Sequence, residues 1–355
     1  MKNRERIDRL NAEKQLPHGD WAALFSDWDE DDRAYAAELA RGITTERFGN
    51  RVYFRGVIEF SNICKNDCYY CGIRKSNRSQ TRYRLSEEEI LLCCREGYRL
   101  GYRTFVLQSG EDPWWTDERM TDLIAAIRAS YPDCAITLSI GERSRESYQA
   151  MYDAGANRYL LRHETADAAH YGRLHPAEMS FAHRIDCLWT LREIGYQVGC
   201  GMMVGTPHQT PETLAKDMEL LTAFRPAMAG IGPFLPHGCT PFRDCAAGSV
   251  PLSLLCLSLT RILLPDVLLP STTALGTASS EGRIQGILAG CNVVMPNLSP
   301  LNVRKSYMLY DNKAGAELSA AEGLALLKNQ VESVGREIVV GRGDHKAFRK
   351  DQCND

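Results

Sequence analysis

Residues 52–60, VYFRGVIEF, are the first of eight short β-rich runs whose spacing decides the fold. The others are TFVLQ (104–108), AITLS (135–139), RYLL (158–161), VGCGMMV (198–204), AMAGIG (227–232), VLLPST (267–272) and NVVM (292–295). The segments between them carry the apolar spacing of helices. Ser86 before Glu87-Glu88-Glu89 reads as a cap on an acidic first turn, and Ser180 leads a stripe at Phe181, Ile185, Leu188 and Trp189 that stops at Gly195. Strands alternating with helices imply parallel strands joined by crossover helices. Eight such units over about 250 residues predict an α/β fold, one closed (β/α)8 barrel of the TIM type. Working outward, residues 1–50 form a helical extension (helices near 3–13 and 31–42), 51–298 the barrel, and 299–355 a tail packed on it, with one helix in AELSAAEGLALLKNQVESV (316–334).

Composition agrees with a soluble globular chain. Of 355 residues 44% are hydrophobic and 25% charged, and 42 Lys+Arg against 45 Asp+Glu leave a net charge of −3. No basic block of the kind that tracks a phosphate backbone is present, so nucleic acid is not an expected partner. The charged start MKNRERIDRL lacks the apolar stretch of a secretory signal, and a cytoplasmic protein is expected. The most apolar stretch, 250–270, is interrupted by Arg261, Pro265 and Asp266, so no membrane helix is expected.

Thirteen cysteines in a reducing compartment suggest metal wherever they group. Only one group stands out: Cys64, Cys68 and Cys71 in FSNICKNDCYYCGIR (60–74), directly after the first run. Three thiolates in one short loop suit a 4Fe-4S cluster with one iron lacking a protein ligand, which leaves that iron open to chelate a small molecule. Structural zinc would need a fourth ligand from elsewhere. Active sites of such barrels sit at the C-terminal ends of the strands, and each run here ends in polar, glycine-rich or sulfur-containing residues.

A C-x3-C-x2-C loop after strand 1, with Tyr70 before the last cysteine, resembles the radical S-adenosylmethionine (SAM) superfamily. That resemblance implies that SAM chelates the open iron and is cleaved to a 5′-deoxyadenosyl radical. Ser109-Gly110-Glu111 resembles the family's Gly-Gly-Glu segment, Glu111 accepting the methionine ammonium; Gly201 to Gly205 resembles the adenine-side motif, with His208 at the place of its glutamate. Arg184 falls inside an apolar stripe and therefore needs a partner, for which SAM's carboxylate is one choice. Arg162 and Glu164, two residues apart on an extended chain, are expected to face the same side.

Longer strings narrow the resemblance. VIEFSNICKNDCYYCGIR, VLQSGEDPWW, RYLLRHETAD, GIGPFLPHGCTPF, TRILLPD, STTALGT and GCNVVMPNLSP together resemble the HydE-type FeFe-hydrogenase maturases, from about residue 50 to about residue 310. This implies an organometallic substrate, an iron complex carrying cysteine, carbon monoxide and cyanide, processed toward the diiron subcluster of the hydrogenase. By matching positions the resemblance places Tyr70, Ser109, Gly110, Glu111, Ser139, Glu164, Arg184 and Met203 on SAM. It places Arg162, Thr272, Thr273, Met295 and Tyr307 on the substrate, with Arg162 and Tyr307 catalytic. It also implies a low-potential electron donor such as ferredoxin, and the other maturases as transient partners. Some members hold a second cluster through extra C-terminal cysteines; this chain has only Cys353 beyond Cys291, so one cluster is expected. The alternative is a radical SAM enzyme of the biotin synthase and methylornithine synthase group, for which Cys134, Cys187 and Cys200 are candidate ligands of a second cluster.

Overall fold

The computed structural model describes residues 1–348; Cys353 and the end of the expected tail lie outside the described residues. The first expected strand is two strands, β1 (Arg51–Phe54) and β2 (Gly56–Ser61), parted at Arg55. From β2 a parallel sheet runs through β3 (Thr104–Ser109), β4 (Ala135–Ser139), β5 (Arg158–Leu160) and β6 (Gln197–Cys200). VGCGMMV breaks after β6 and resumes as β7 (Met203–Val204); AMAGIG divides into β8 (Met228–Ala229), which pairs with β6, and β9 (Gly232–Pro233), which pairs with β7. The last strands are β10 (Val293–Val294) and β11 (Glu337–Val339), which flank β1.

The expected seventh strand, 267–272, is not a regular strand. Single parallel bridges, Met228 to Leu268 and Pro270 to Val293, carry the pairing across it, and Val57 to Asn297 returns it to β2. Pro270 has no N–H to give to a ladder, which shortens the pairing there. The pairings nevertheless run all the way round. Registers set apolar residues side by side, Ile58 against Leu107 and Phe105 against Ile136, and helices cover the outer face, so both faces of the sheet are buried.

Helix ends follow local chemistry. Ser86 caps Glu87–Arg99 with a full capping box, and Ser180 caps Phe181–Ile194, which ends at Gly195 in the left-handed region. The expected stripe on that second helix is corrected: Arg184, Cys187, Leu188 and Leu191 are the buried face, while Trp189 is exposed. Trp189 sits at the rim of that face, its ring against Phe224 and the Arg192 guanidinium. The N-terminal region has three helices rather than two, Asn3–Glu13, His18–Asp27 and Glu30–Phe48.

The arginine that interrupts the 250–270 stretch is fully buried. Arg261 donates to the carbonyls of Pro265, Val267 and Gly290 and to Asn292 Oδ1, all within 3.0 Å, which offsets the cost of burying its charge. Burial still lowers it to about 10. Among the described residues no helix is long and apolar enough to cross a membrane.

The tail element β11 went unforeseen. It pairs in parallel with β1, Arg51 opposite Glu337 and Tyr53 opposite Val339, and delivers residues 342–344 to the N-terminal ends of the strands. There Arg158 donates to Arg342 O and Asp344 Oδ1, at 2.6 and 2.7 Å, and Gln197 donates to the same carboxylate oxygen at 2.7 Å.

Candidate active site

At the opposite end of the strands lies a cavity of about 510 Å³. Every residue expected in the site lines it: the triad Cys64, Cys68 and Cys71; Tyr70, Ser109, Gly110, Glu111, Ser139, Glu164, Arg184 and Met203; and Arg162, Thr272, Thr273, Met295 and Tyr307. The convergence follows largely from topology, since most of these residues follow the ends of different strands and parallel strands bring their C-terminal ends together, while Arg184 comes from a helix and Tyr307 from the tail.

The cysteine loop is held from several sides. Lys65 N donates to Glu111 O at 2.9 Å, Tyr69 N to Leu174 O at 3.0 Å, and Gly72 N to Leu309 O at 2.8 Å. The Arg82 guanidinium gathers the loop's carbonyls, donating to Asn62 O, Ile73 O, Arg74 O and Asn77 O between 2.5 and 2.9 Å. Only glycine fits at 110, because a Cβ there would stand 2.3 Å from Ile63 O and 2.7 Å from Cys64 Cβ. Glu111 N consequently reaches Cys64 Sγ at 3.4 Å.

The three thiols are free, and burial raises all of them, Cys71 to about 12 and Cys68 well above the usual thiol range. A metal binding here must displace those protons. Among the described residues no three His, Cys, Asp or Glu side chains gather as a single ion requires. A cubane presents each thiolate to a different iron, so its ligand sulfurs stand farther apart than the donors of one ion. An all-sulfur set of three suits an iron–sulfur cluster better than zinc or a hard cation.

Beside the triad, Tyr70 Oη and His175 Nε2 are 3.0 Å apart. His175 Nδ1 lies 2.9 Å from Tyr171 O, which only accepts; Nδ1 therefore carries the proton and Tyr70 donates to Nε2. Burial holds His175 near 3, so the ring stays neutral. Arg184 has a partner within the chain: Nε donates to Glu142 Oε1 at 2.5 Å and Nη1 to Arg162 O at 2.7 Å. Glu142, three residues past Ser139, was missed by sequence reading, although its place just beyond a strand end was a signal. Its backbone N–H in turn donates to Glu111 Oε1 at 3.0 Å.

Arg162 and Glu164 do face one another, with Nη2 and Oε2 3.2 Å apart, but not on an extended chain. Glu164 has φ +65°, left-handed and strained for glutamate. Its N–H donates to Gly201 O, and its O accepts from Met203 N. The charges are close yet misaligned, and Arg162 Nε, Arg162 Nη2 and Glu164 Oε2 are buried without a hydrogen bond. Glu111 Oε2 is in the same state, although Lys65 Nζ stands 3.1 Å away. Unfilled buried polar atoms beside a sulfur triad fit a ligand carrying ammonium, carboxylate or other polar groups.

On the far side, Gln108 Nε2 donates to Tyr307 Oη at 3.4 Å, and burial keeps the phenol protonated. Lys313, from the tail, pairs with buried Glu59 and donates to Tyr307 O at 3.1 Å; Asn297 Nδ2 fills the other Glu59 oxygen at 2.8 Å. Neither Glu59 nor Lys313 was foreseen. Thr272 caps the helix Thr273–Ala278, its hydroxyl accepting from Leu275 N, while still lining the cavity. Cys134, Cys187 and Cys200 do not line it, so they are not placed to hold a second cluster in this cavity. His208 has φ +66° and does not line it either.

Comparison with known proteins gives relatives of the same kind. Residues 58–221 match the radical SAM superfamily. The chain is 42% identical over 300 residues, 84% of its length and 85% of the relative's, to the [FeFe] hydrogenase maturase subunit HydE of Thermotoga maritima. In fold it resembles the crystal structure of methylornithine synthase (TM-score 0.81, 24% identity, 94% of this chain and 97% of that one). It also resembles that of HydG, a maturase of the [FeFe]-hydrogenase (TM-score 0.77, 20% identity, 93% and 74%).

Proposed function

The chain belongs to the radical SAM superfamily and, within it, to the HydE family of [FeFe]-hydrogenase maturases, and from that membership we propose the division of labour within its cavity. It is a radical SAM enzyme whose cofactors are a 4Fe-4S cluster and S-adenosylmethionine. When bound and reduced, the cluster supplies the single electron that cleaves the sulfonium to methionine and a 5′-deoxyadenosyl radical.

Cys64, Cys68 and Cys71 hold the cluster. Glu111 receives the methionine ammonium on Oε2, the oxygen left unfilled once Glu142 N occupies Oε1. Arg184, braced by Glu142, offers the rest of its fork to the methionine carboxylate. Glu164, Ser139 and Met203, with Tyr70, surround the nucleoside. Across the cavity Arg162, Thr272, Thr273 and Met295 take the anionic ligands of the substrate, and Tyr307 holds a proton at Oη close to it. The substrate is a small iron complex carrying cysteine, carbon monoxide and cyanide. A ferredoxin-type donor supplies the electron, other maturases are transient partners, and the work is done in the cytoplasm.

One observation carries this reading. A cavity that seats the sulfur triad also presents Arg162, two of whose donor nitrogens are buried and unfilled, to whatever lies opposite the cluster. The test is anaerobic: reconstituted enzyme, dithionite, SAM and a synthetic iron–cysteine–carbonyl–cyanide complex, with lysine and dethiobiotin as controls. Consumption of the iron complex in step with 5′-deoxyadenosine is expected. Turnover of lysine or dethiobiotin instead would overturn the assignment.

A further inference from the structure

The cavity does not end at Arg162. It continues past Tyr310 between the helices Thr273–Ala278 and Gly282–Leu288 on one side and the tail helix Ala320–Glu332 on the other. Leu326, 44% exposed, lines this extension, which therefore reaches solvent. Its wall holds a cation with nothing to balance it. Arg283 lines the cavity, and among the described residues no carboxylate pairs with its guanidinium. The side chain lies across Gly276, where a Cβ would come within 2.9 Å of Nε, so the glycine leaves the room that the arginine occupies. A partly buried guanidinium with no carboxylate partner is costly to keep unless something anionic visits it.

The surroundings define the visitor. Tyr310 lines the same cavity and lies in the fields of Glu59, Arg283 and Arg162. Gln330 Oε1, on the tail helix lining the same extension, is buried without a partner. A planar fork of N–H donors beside a phenol suits the two oxygens of a carboxylate. An amide oxygen nearby suits an adjacent N–H donor.

We propose that Arg283 and Tyr310 form a second anion subsite, at the solvent end of the cavity, which takes a carboxylate of the substrate while Arg162 takes an anionic ligand at the inner end. The identity of that substrate rests on the maturase reading above; the subsite itself rests only on the geometry. It also accounts for the role of the tail, whose Tyr310 and Gln330 complete a wall that the barrel leaves open.

Crystals of the reconstituted enzyme soaked in bromide provide the test, read by anomalous diffraction. Two peaks are expected, at Arg162 and at Arg283. Arg283→Gln should lose the second and keep the first, and Arg283→Lys, which retains the charge, should keep both. In turnover of the iron complex, Arg283→Gln should raise KM about tenfold, the loss of a charge-assisted hydrogen bond, and lower kcat far less. Bromide at Arg162 with none at Arg283, or an unchanged KM, would overturn the subsite. Bromide at Arg283 without turnover of the iron complex would retain the subsite and remove only the assigned substrate.

Discussion

Each end of this barrel holds an arginine with buried nitrogens, and the two ends treat them differently. At the N-terminal ends of the strands Arg158 is met by Asp344, Arg342 O and Thr104 Oγ1, and Gln197 adds a further bond to the same carboxylate. At the C-terminal ends Arg162 has a carboxylate 3.2 Å away and leaves two nitrogens unbonded. The first arrangement meets the guanidinium from within the chain, leaving only Arg158 Nε unbonded, and covers the bottom of the barrel. The second stays incomplete, next to a strained Glu164, and stores its unmet polarity for something that binds. The same residue type serves stability at one end and chemistry at the other, and the difference lies in whether the chain's own groups meet the guanidinium with aligned hydrogen bonds.

The largest effect that would sharpen this contrast is at the mouth. Cys71→Ala should reduce cluster iron and bring 5′-deoxyadenosine formation to background while the thermal transition of the cluster-free protein hardly moves, measured by iron analysis, chromatography and circular dichroism. Next comes the bottom. Asp344→Ala leaves Arg158 buried and unpaired and should cost about 3 kcal/mol or more. Melting would fall by several degrees, while SAM cleavage in the surviving folded enzyme stays intact. A loss of cleavage without a loss of stability would break the comparison.

The same carboxylate gives a pH signature. Burial alone would raise Asp344, but Arg158, Gln197 and Arg342 outweigh it and hold it at about 2. Its folded value is therefore below the unfolded value of about 3.9, so its contribution is present above pH ~4 and is lost as pH falls toward 2. Urea midpoints of the wild type should drop across that window, and those of Asp344→Ala should drop less.

Two smaller effects return to the mouth. Arg184→Gln should raise the KM for SAM about tenfold, through loss of a charge-assisted hydrogen bond. Thr272→Val should cost about 1 kcal/mol by removing a helix cap, measured by thermal melting, and Thr272→Ser should restore it.

Sequence made the mouth far easier to read than the bottom, for a physical reason. The triad, the Ser86 and Ser180 caps and the strand runs are local patterns, written in neighbouring residues. The late strand β11 is only EIV, and it becomes a strand because β1 offers an open edge nearly 300 positions earlier. Arg184 could be read as needing a partner, but Glu142 lies 42 residues away, in the loop that follows β4. Lys313 and Glu59 meet across 254 residues, and nothing in either segment announces the pairing. The irregular seventh strand was hidden because VLLPST has β-prone residues on both sides of the proline that interrupts it.

The central claim is that the Cys64, Cys68 and Cys71 loop carries a cluster that drives SAM cleavage in this cavity. Its most direct test is 5′-deoxyadenosine formation by anaerobically reconstituted, dithionite-reduced enzyme given SAM and the iron complex, beside Cys68→Ala. The account predicts nucleoside from the wild type and none above background from the variant. Nucleoside from both, or none from a wild type whose cluster is fully occupied and whose EPR signal does not change with SAM, would contradict it.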